Sequence, residues 1–459
     1  MTQPDNELLN SEERKLGTQK IKTLFFAYTL SAVLGMALQM IMNIADGFYV
    51  GNGVGTTGLG AISVVFPFWI IAIAVGTMIG VGASTLVGIK LGQGNKEEAR
   101  AIVGQSFWYS NILSIIITIL AFIFMDKILI FFGAQGDILD AARSYTQVFM
   151  IGFPLYVTGL LLFYLIRIDE KPILGLLIQS VPAAIALFVE YILIFKLKWG
   201  INGSAVGAWL ITMGSWYLLV LHFIFGKTEL KIKLKDIRID MKNVAQINKI
   251  GFAGFIIQVA PTFVTIAINN LIGKYGGQSD FAAYGVINAY MLYILISLTN
   301  SFGFGLLPIA SYNYGAGLYD RVRDVLKTCM KYTVGFLVIC LVLIFIFADQ
   351  ILTFFIGPVP EIVLATKAAM CKFIILFPLG AMTLVISNYF QAVEKNGKAI
   401  VNSLTRNVIF ILPLLFILPR FLGMTGVWIS QPIADALACL VAVIYLIREL
   451  KELSRPQKL

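Results

Sequence analysis

Charge is scarce in this sequence. Lys, Arg, Asp and Glu together make up 13% of its 459 residues, where a soluble domain carries roughly a quarter, and that shortage excludes a water-facing fold. Histidine is rarer still, with His222 the sole example. The four cysteines, Cys329, Cys340, Cys371 and Cys439, fall in or beside apolar runs without metal-ligand spacing. A His/Cys metal centre, a disulfide framework and a nucleophile–histidine arrangement are thereby all lacking. His222 has no carboxylate near it in sequence and reads as a packing residue; the cysteines read as core or lipid-facing.

What fills the space is apolar: 58% of residues are hydrophobic and the mean hydropathy is +0.85. Stretches reach the roughly 20 residues needed to cross a bilayer as helix, and lipid, which offers the backbone no partners, requires helices there. Periodicity and length place spans near 24–47, 59–89, 101–124, 142–166, 173–196, 203–225, 248–272, 281–312, 328–348, 368–391, 399–418 and 424–447. The expected fold is an all-α polytopic membrane protein with twelve transmembrane helices. The first apolar segment is too long for a signal-peptide core, so no cleavage is expected.

An even number of spans puts both termini on one side, and positive charge says which. With the N-terminus inside, 27 of the 35 Lys and Arg residues fall on inner segments and their adjoining helix ends, against 8 outside. Both ends are therefore expected in the cytoplasm, with the protein multi-pass in the plasma (inner) membrane. The net charge of +10 follows from topology and membrane lipid, with no nucleic-acid partner. Residues 227–249, KTELKIKLKDIRIDMKNVAQINK, read as a basic cytoplasmic linker that halves the chain.

The halves repeat one another. Gly51 and Ala61 recur as Gly273 and Ala283 at an offset of 222, and Gly80, Gly82, Gly92 and Gly94 recur as Gly303, Gly305, Gly315 and Gly317 at 223. Phe153-Pro154 and Glu170-Lys171 recur as Phe377-Pro378 and Glu394-Lys395 at 224. Because each unit has six spans, the two copies share one orientation, and a substrate path runs between them. The domain reading is a tail (1–23), a six-helix bundle (24–226), a linker (227–247), a second bundle (248–447) and a tail (448–459).

Three motifs are set aside or assigned structurally. Gly53-x-Gly55-x-x-Gly58 spells a dinucleotide fingerprint but lies between two membrane helices without a strand before it. Gly76 and Gly80 suit close helix packing. Asn202-Gly203-Ser204 is a sequon placed on an outer loop.

Charge within the membrane is costly and marks function. Gln39, Asn43 and Asp46 share one face of the first span. Glu190 lies in the fifth span with Gln179 on its face, and Asp435 in the twelfth has Gln431 one turn before it. Arg143 and Arg406 are read as snorkelling from span ends. Two carboxylates sharing an apolar cavity form a ready ion-coupling device, able to take up a proton or exchange it for Na⁺.

The segments NIADGFYVGNGVGTTGLGAISVVFP (43–67), GVGASTLVGIKLGQGNKEEA (80–99) and EYILIF (190–195), with their counterparts in the second half, resemble the multidrug and toxic compound extrusion (MATE) transporters, in the bacterial branch related to the DinF and MepA exporters. The resemblance implies two pseudo-symmetric six-helix bundles that rock between inward- and outward-facing states, exchanging Na⁺ or H⁺ for small organic, usually cationic, compounds. It implies a transporter rather than an enzyme, without a cofactor, acting as a monomer. It places Asp46, Glu190, Tyr145 and Asn43 at cation coupling, with Na⁺ a candidate ligand of Asp46 and Glu190, and Gln39, Gln179, Asp435 and Gln431 along the substrate cavity. Several departures are visible: Ala186 and Ala208 stand where relatives offer neutral oxygens, which favours H⁺; Ser31 stands where many bend the first helix with proline; Glu170 and Glu394 replace glycines. The repeat partners of Asp46 and Glu190 are Ile268 and Pro413, so coupling belongs to the first half. A lipid-linked oligosaccharide flippase is the alternative reading, and a channel or membrane-embedded enzyme a remote third.

Overall fold

The computed structural model describes residues 14–233, 239–356 and 359–453. The tail residues 1–13, the linker centre 234–238 and the last residues 454–459 lie outside the described residues. Helix dominates for the reason the sequence gives: apolar stretches in lipid must pair their own backbone. The first bundle comprises α1 (Ile21–Gly53), α2 (Thr56–Gly92), α3 (Lys96–Phe131), α4 (Gly136–Ile168), α5 (Pro172–Lys196) and α6 (Ile201–Phe225). The second comprises α7 (Met241–Tyr275), α8 (Gln278–Gly315), α9 (Tyr319–Ile346), α10 (Pro360–Ile374 and Phe377–Ala392, bent by 43°), α11 (Asn396–Leu422) and α12 (Met424–Leu453).

Among the described residues, ten of these helices are long and apolar enough to cross a membrane, and the bent α10 makes an eleventh; α12 completes the set of twelve. The lipid face is written in exposed side chains, as on α3, where Ile112, Ile115, Ile116, Ile119, Phe122 and Ile123 are all exposed. Helix α7 begins at Met241, inside the stretch read as linker from sequence. No proline interrupts α1; at Ser31 the Oγ donates to the Tyr28 carbonyl at 2.8 Å.

The apolar packing shows how the bundles meet. One continuous cluster joins the first bundle to residues of the second such as Ile247, Phe302, Leu306, Leu326, Ile386 and Leu446, all towards the side carrying the chain ends. A separate cluster, including Ile268, Ile287, Leu337, Phe373 and Trp428, fills the opposite half of the second bundle alone. The apolar contact between the two bundles is therefore continuous on the terminal side, while the opposite half of the second bundle packs on itself.

Glycine permits that contact. A Cβ on Gly251 of α7 would collide with the Met78 carbonyl of α2, and one on Gly82 with the Ile247 carbonyl, so the backbones touch only because no side chain intervenes. Polar bonds lie at the same level: Tyr109 donates to Asn248 at 2.9 Å and Asn243 to Gln105 at 2.9 Å.

Candidate functional site

Four helices of the first bundle bring polar side chains to one point. Ser204, in the first turns of α6, donates its hydroxyl to Asp46 Oδ1 on α1 at 2.6 Å. Glu190 on α5 turns its carboxyl towards the same Asp46, while being only 2% exposed. Its Oε1 has no hydrogen-bond partner among the described residues. Tyr145 on α4 is buried and faces Ser204 and Trp69. Gly207 makes room: a Cβ there would sit 2.9 Å from Glu190 Cβ and 3.1 Å from its Oε2.

The chemistry follows from two carboxyl groups that face each other, with the Ser204 hydroxyl donating to Asp46 alone. Two carboxylates facing each other out of water are stable only with positive charge shared between them. A proton satisfies that with one hydrogen bond; Na⁺ would draw on the two carboxylates and the Ser204 and Tyr145 oxygens. Ala186 is buried and, like Ala208, offers no oxygen. From sequence Ser204 is read only as part of a sequon, although it lies one turn before Ala208 on the same face of α6.

The remaining sequence candidates are distributed differently. Asn43, one turn from Asp46, points to the other bundle and donates to Tyr293 Oη of α8 at 3.2 Å. Gln39 is exposed and Gln179 half-buried, the latter beside Gly35 of α1. Asp435 and Gln431 form a separate group in the second bundle. Asp435 is 1% exposed, accepts from Arg406 Nε at 2.9 Å and from Gln431 at 3.1 Å, and packs on Gly380.

Three readings from sequence are corrected by this geometry. Arg406 does not snorkel: it sits in a π-helical turn of α11, Thr405–Phe410, buried over the Phe377 ring and ion-paired to Asp435. His222 is not a bare packing residue, since its Nε2 lies 3.0 Å from Asp169 Oδ2, a carboxylate 53 residues away that also binds Lys171 and the Thr228 hydroxyl. The sequon is helical rather than looped: Asn202 Oδ1 accepts from Ser144 at 2.6 Å and Ser204 is buried on Asp46.

A twice-repeated bundle of membrane-length helices with two facing acids in one half fits a membrane transporter. Residues 31–192 and 255–417 each match the MatE family model, and the chain belongs to that family. It is similar to the multidrug export protein MepA of Staphylococcus aureus (strain MRSA252), 23% identical over 430 residues, covering 92% of this chain and 93% of that protein. Among solved structures it resembles a multidrug resistance MATE family transporter of the MOP superfamily in its outward-facing conformation (TM-score 0.88, 20% identity, 97% and 100% of the two chains). A MOP superfamily transporter from Pyrococcus furiosus with a binding pocket of reversed polarity is similar to the same degree (TM-score 0.88, 20% identity, 96% and 98%).

Proposed function

We propose that this chain is a cation-coupled exporter of small organic cations, working by alternating access. The observation that carries this reading is the facing pair Asp46 and Glu190, the first half-buried and held by the Ser204 hydroxyl, the second buried with its Oε1 unpartnered among the described residues. Such a pair binds one cation and releases it when its surroundings change. A membrane potential supplies roughly 2.3 kcal/mol per charge per 100 mV, enough to shift substrate binding more than tenfold. The coupling ion is H⁺, because Ala186 and Ala208 leave a Na⁺ cage short of neutral oxygens, with Ser204 the partial replacement.

The excess of Lys and Arg on the terminal side makes that side cytoplasmic. Fusion of the bundles there then corresponds to an outward-open conformer, with the substrate path between the bundles. Cation binding at Asp46 and Glu190 favours one conformer and substrate the other, so the two exchange. Multidrug export by MepA supports the substrate class and the plasma membrane as the site; it gives no support to the flippase alternative. Dye counter-transport in proteoliposomes under an imposed pH gradient, compared with an imposed Na⁺ gradient, tests both ion and direction: accumulation with the pH gradient alone is the expected result, and accumulation with Na⁺ alone reassigns the ion.

A further inference from the structure

We propose that residues 14–19 are a latch, held by a receptor built from both bundles, that keeps the terminal side closed. This rests on the alternating-access reading above and specifies which contacts hold one of its two states.

The segment is a single helical turn, Lys15–Thr18, outside the membrane spans, yet its Leu16 is completely buried. From the first bundle, Glu170 Oε1 accepts the Leu16 N–H at 2.8 Å, and the Ile168 carbonyl accepts from Arg14 Nη1 at 3.2 Å. From the second, Asn313 Nδ2 and Arg321 Nη2 both donate to the Leu16 carbonyl, at 2.9 Å and 3.0 Å. Arg321 Nη2 also reaches the Gln19 carbonyl at 2.7 Å, and its Nε is fixed on Asn313 Oδ1 at 2.8 Å. Gly17 lies against the Tyr312 ring, which a Cβ would approach to 3.0 Å. Arg14 Nη2 meanwhile pairs with Glu229 of the linker, which Lys96 also holds.

Glu170 shows that this contact is built. Its φ of 62° lies in the left-handed region that costs any residue with a side chain, and glycine would sit there freely. A carboxylate is nevertheless present, and it captures a backbone N–H from the N-terminal turn. Its repeat partner Glu394, with φ 55°, captures Gln246 on α7, so the second copy uses the same device within one bundle while the first uses it on a segment gripped by two.

A turn of four residues rises only about 6 Å along its axis. It cannot keep Glu170 on one bundle and Asn313 with Arg321 on the other once the terminal side parts, so one grip breaks in every cycle.

The test uses the full chain in nanodiscs with native cysteines replaced and spin labels at Glu97 and Lys327, both exposed on the terminal side of opposite bundles. Pulsed electron double resonance reads the ratio of long to short distances, with and without the dye ethidium. Arg321→Ala and Glu170→Ala are expected to raise that ratio roughly threefold to tenfold, the effect of losing one or two hydrogen bonds, whereas Glu170→Gln, which keeps an acceptor oxygen, stays within twofold of wild type. A wild type that switches while both alanine variants leave the ratio unchanged overturns the latch alone. A wild-type distance fixed under every ion and dye condition overturns alternating access and the latch with it.

Discussion

Gly92 of α2 and Gly315 of α8 meet face to face, each against the other's backbone. A Cβ on Gly92 would strike the Tyr312 carbonyl, and one on Gly315 the Ile89 carbonyl; the four positions are related in pairs by the repeat offset of 223. The contact is a pseudo-two-fold axis seen at atomic scale, and it lies at the terminal-side ends of both helices. Duplication thus supplies a closure in which each half presents the same small residue to the other.

Gly92→Ala is expected to prevent that closure while leaving each bundle folded. A methyl group driven into a carbonyl has no flexible side chain to displace, and overpacking of this kind costs about 1–3 kcal/mol. The variant should insert and purify normally but lose outward-open population, read as a longer distance between terminal-side spin labels. A normal distance with normal transport would show that the backbones separate without consequence.

Ser204→Ala removes the hydroxyl that donates to Asp46 at 2.6 Å. A hydrogen bond to a charged group is worth about 1.5–3 kcal/mol, so cation affinity should change about tenfold or more, seen as a displaced pH profile of dye transport. Ser204→Thr keeps the hydroxyl and should retain the wild-type profile. An unshifted profile in the alanine variant would remove Ser204 from the site.

Arg406→Met leaves Asp435 buried without its ion pair, beside an Oδ2 that already lacks a partner. Breaking a buried pair from one side costs about 3–5 kcal/mol, whereas replacing both partners by apolar groups is often neutral. Thermal unfolding in detergent should therefore show a large loss for Arg406→Met and partial recovery when Asp435→Leu is added. Equal stability of the single variant and wild type would mean that the carboxyl is not charged in the folded protein.

The fold was legible because lipid reduces the choice to helix and because apolar length, charge bias and the glycine repeat all point to two six-helix units. Asp46 and Glu190 were legible as charges where charge is costly. What sequence could not show was contact across distance. Nothing near Asp46 announces Ser204, 158 residues away. Arg406 reads as peripheral because it lies near the start of its span; its burial with Asn402, Thr405 and Asn407 is a property of the bundle, which pairs it with an acid on α12. Asp169 and His222 meet for the same reason, at the ends of two helices that pack side by side.

Coupling through the facing acids is tested most directly by Glu190→Gln in proteoliposomes, with accumulation of a cationic dye followed under an imposed pH gradient. Glutamine keeps the shape of the side chain, and its amide can donate to Asp46 as a proton between the carboxyls would, but it cannot release that proton. Wild type should accumulate dye and collapse the gradient, while the variant, folded and still able to bind dye, does neither. Undiminished accumulation by Glu190→Gln contradicts the proposed coupling.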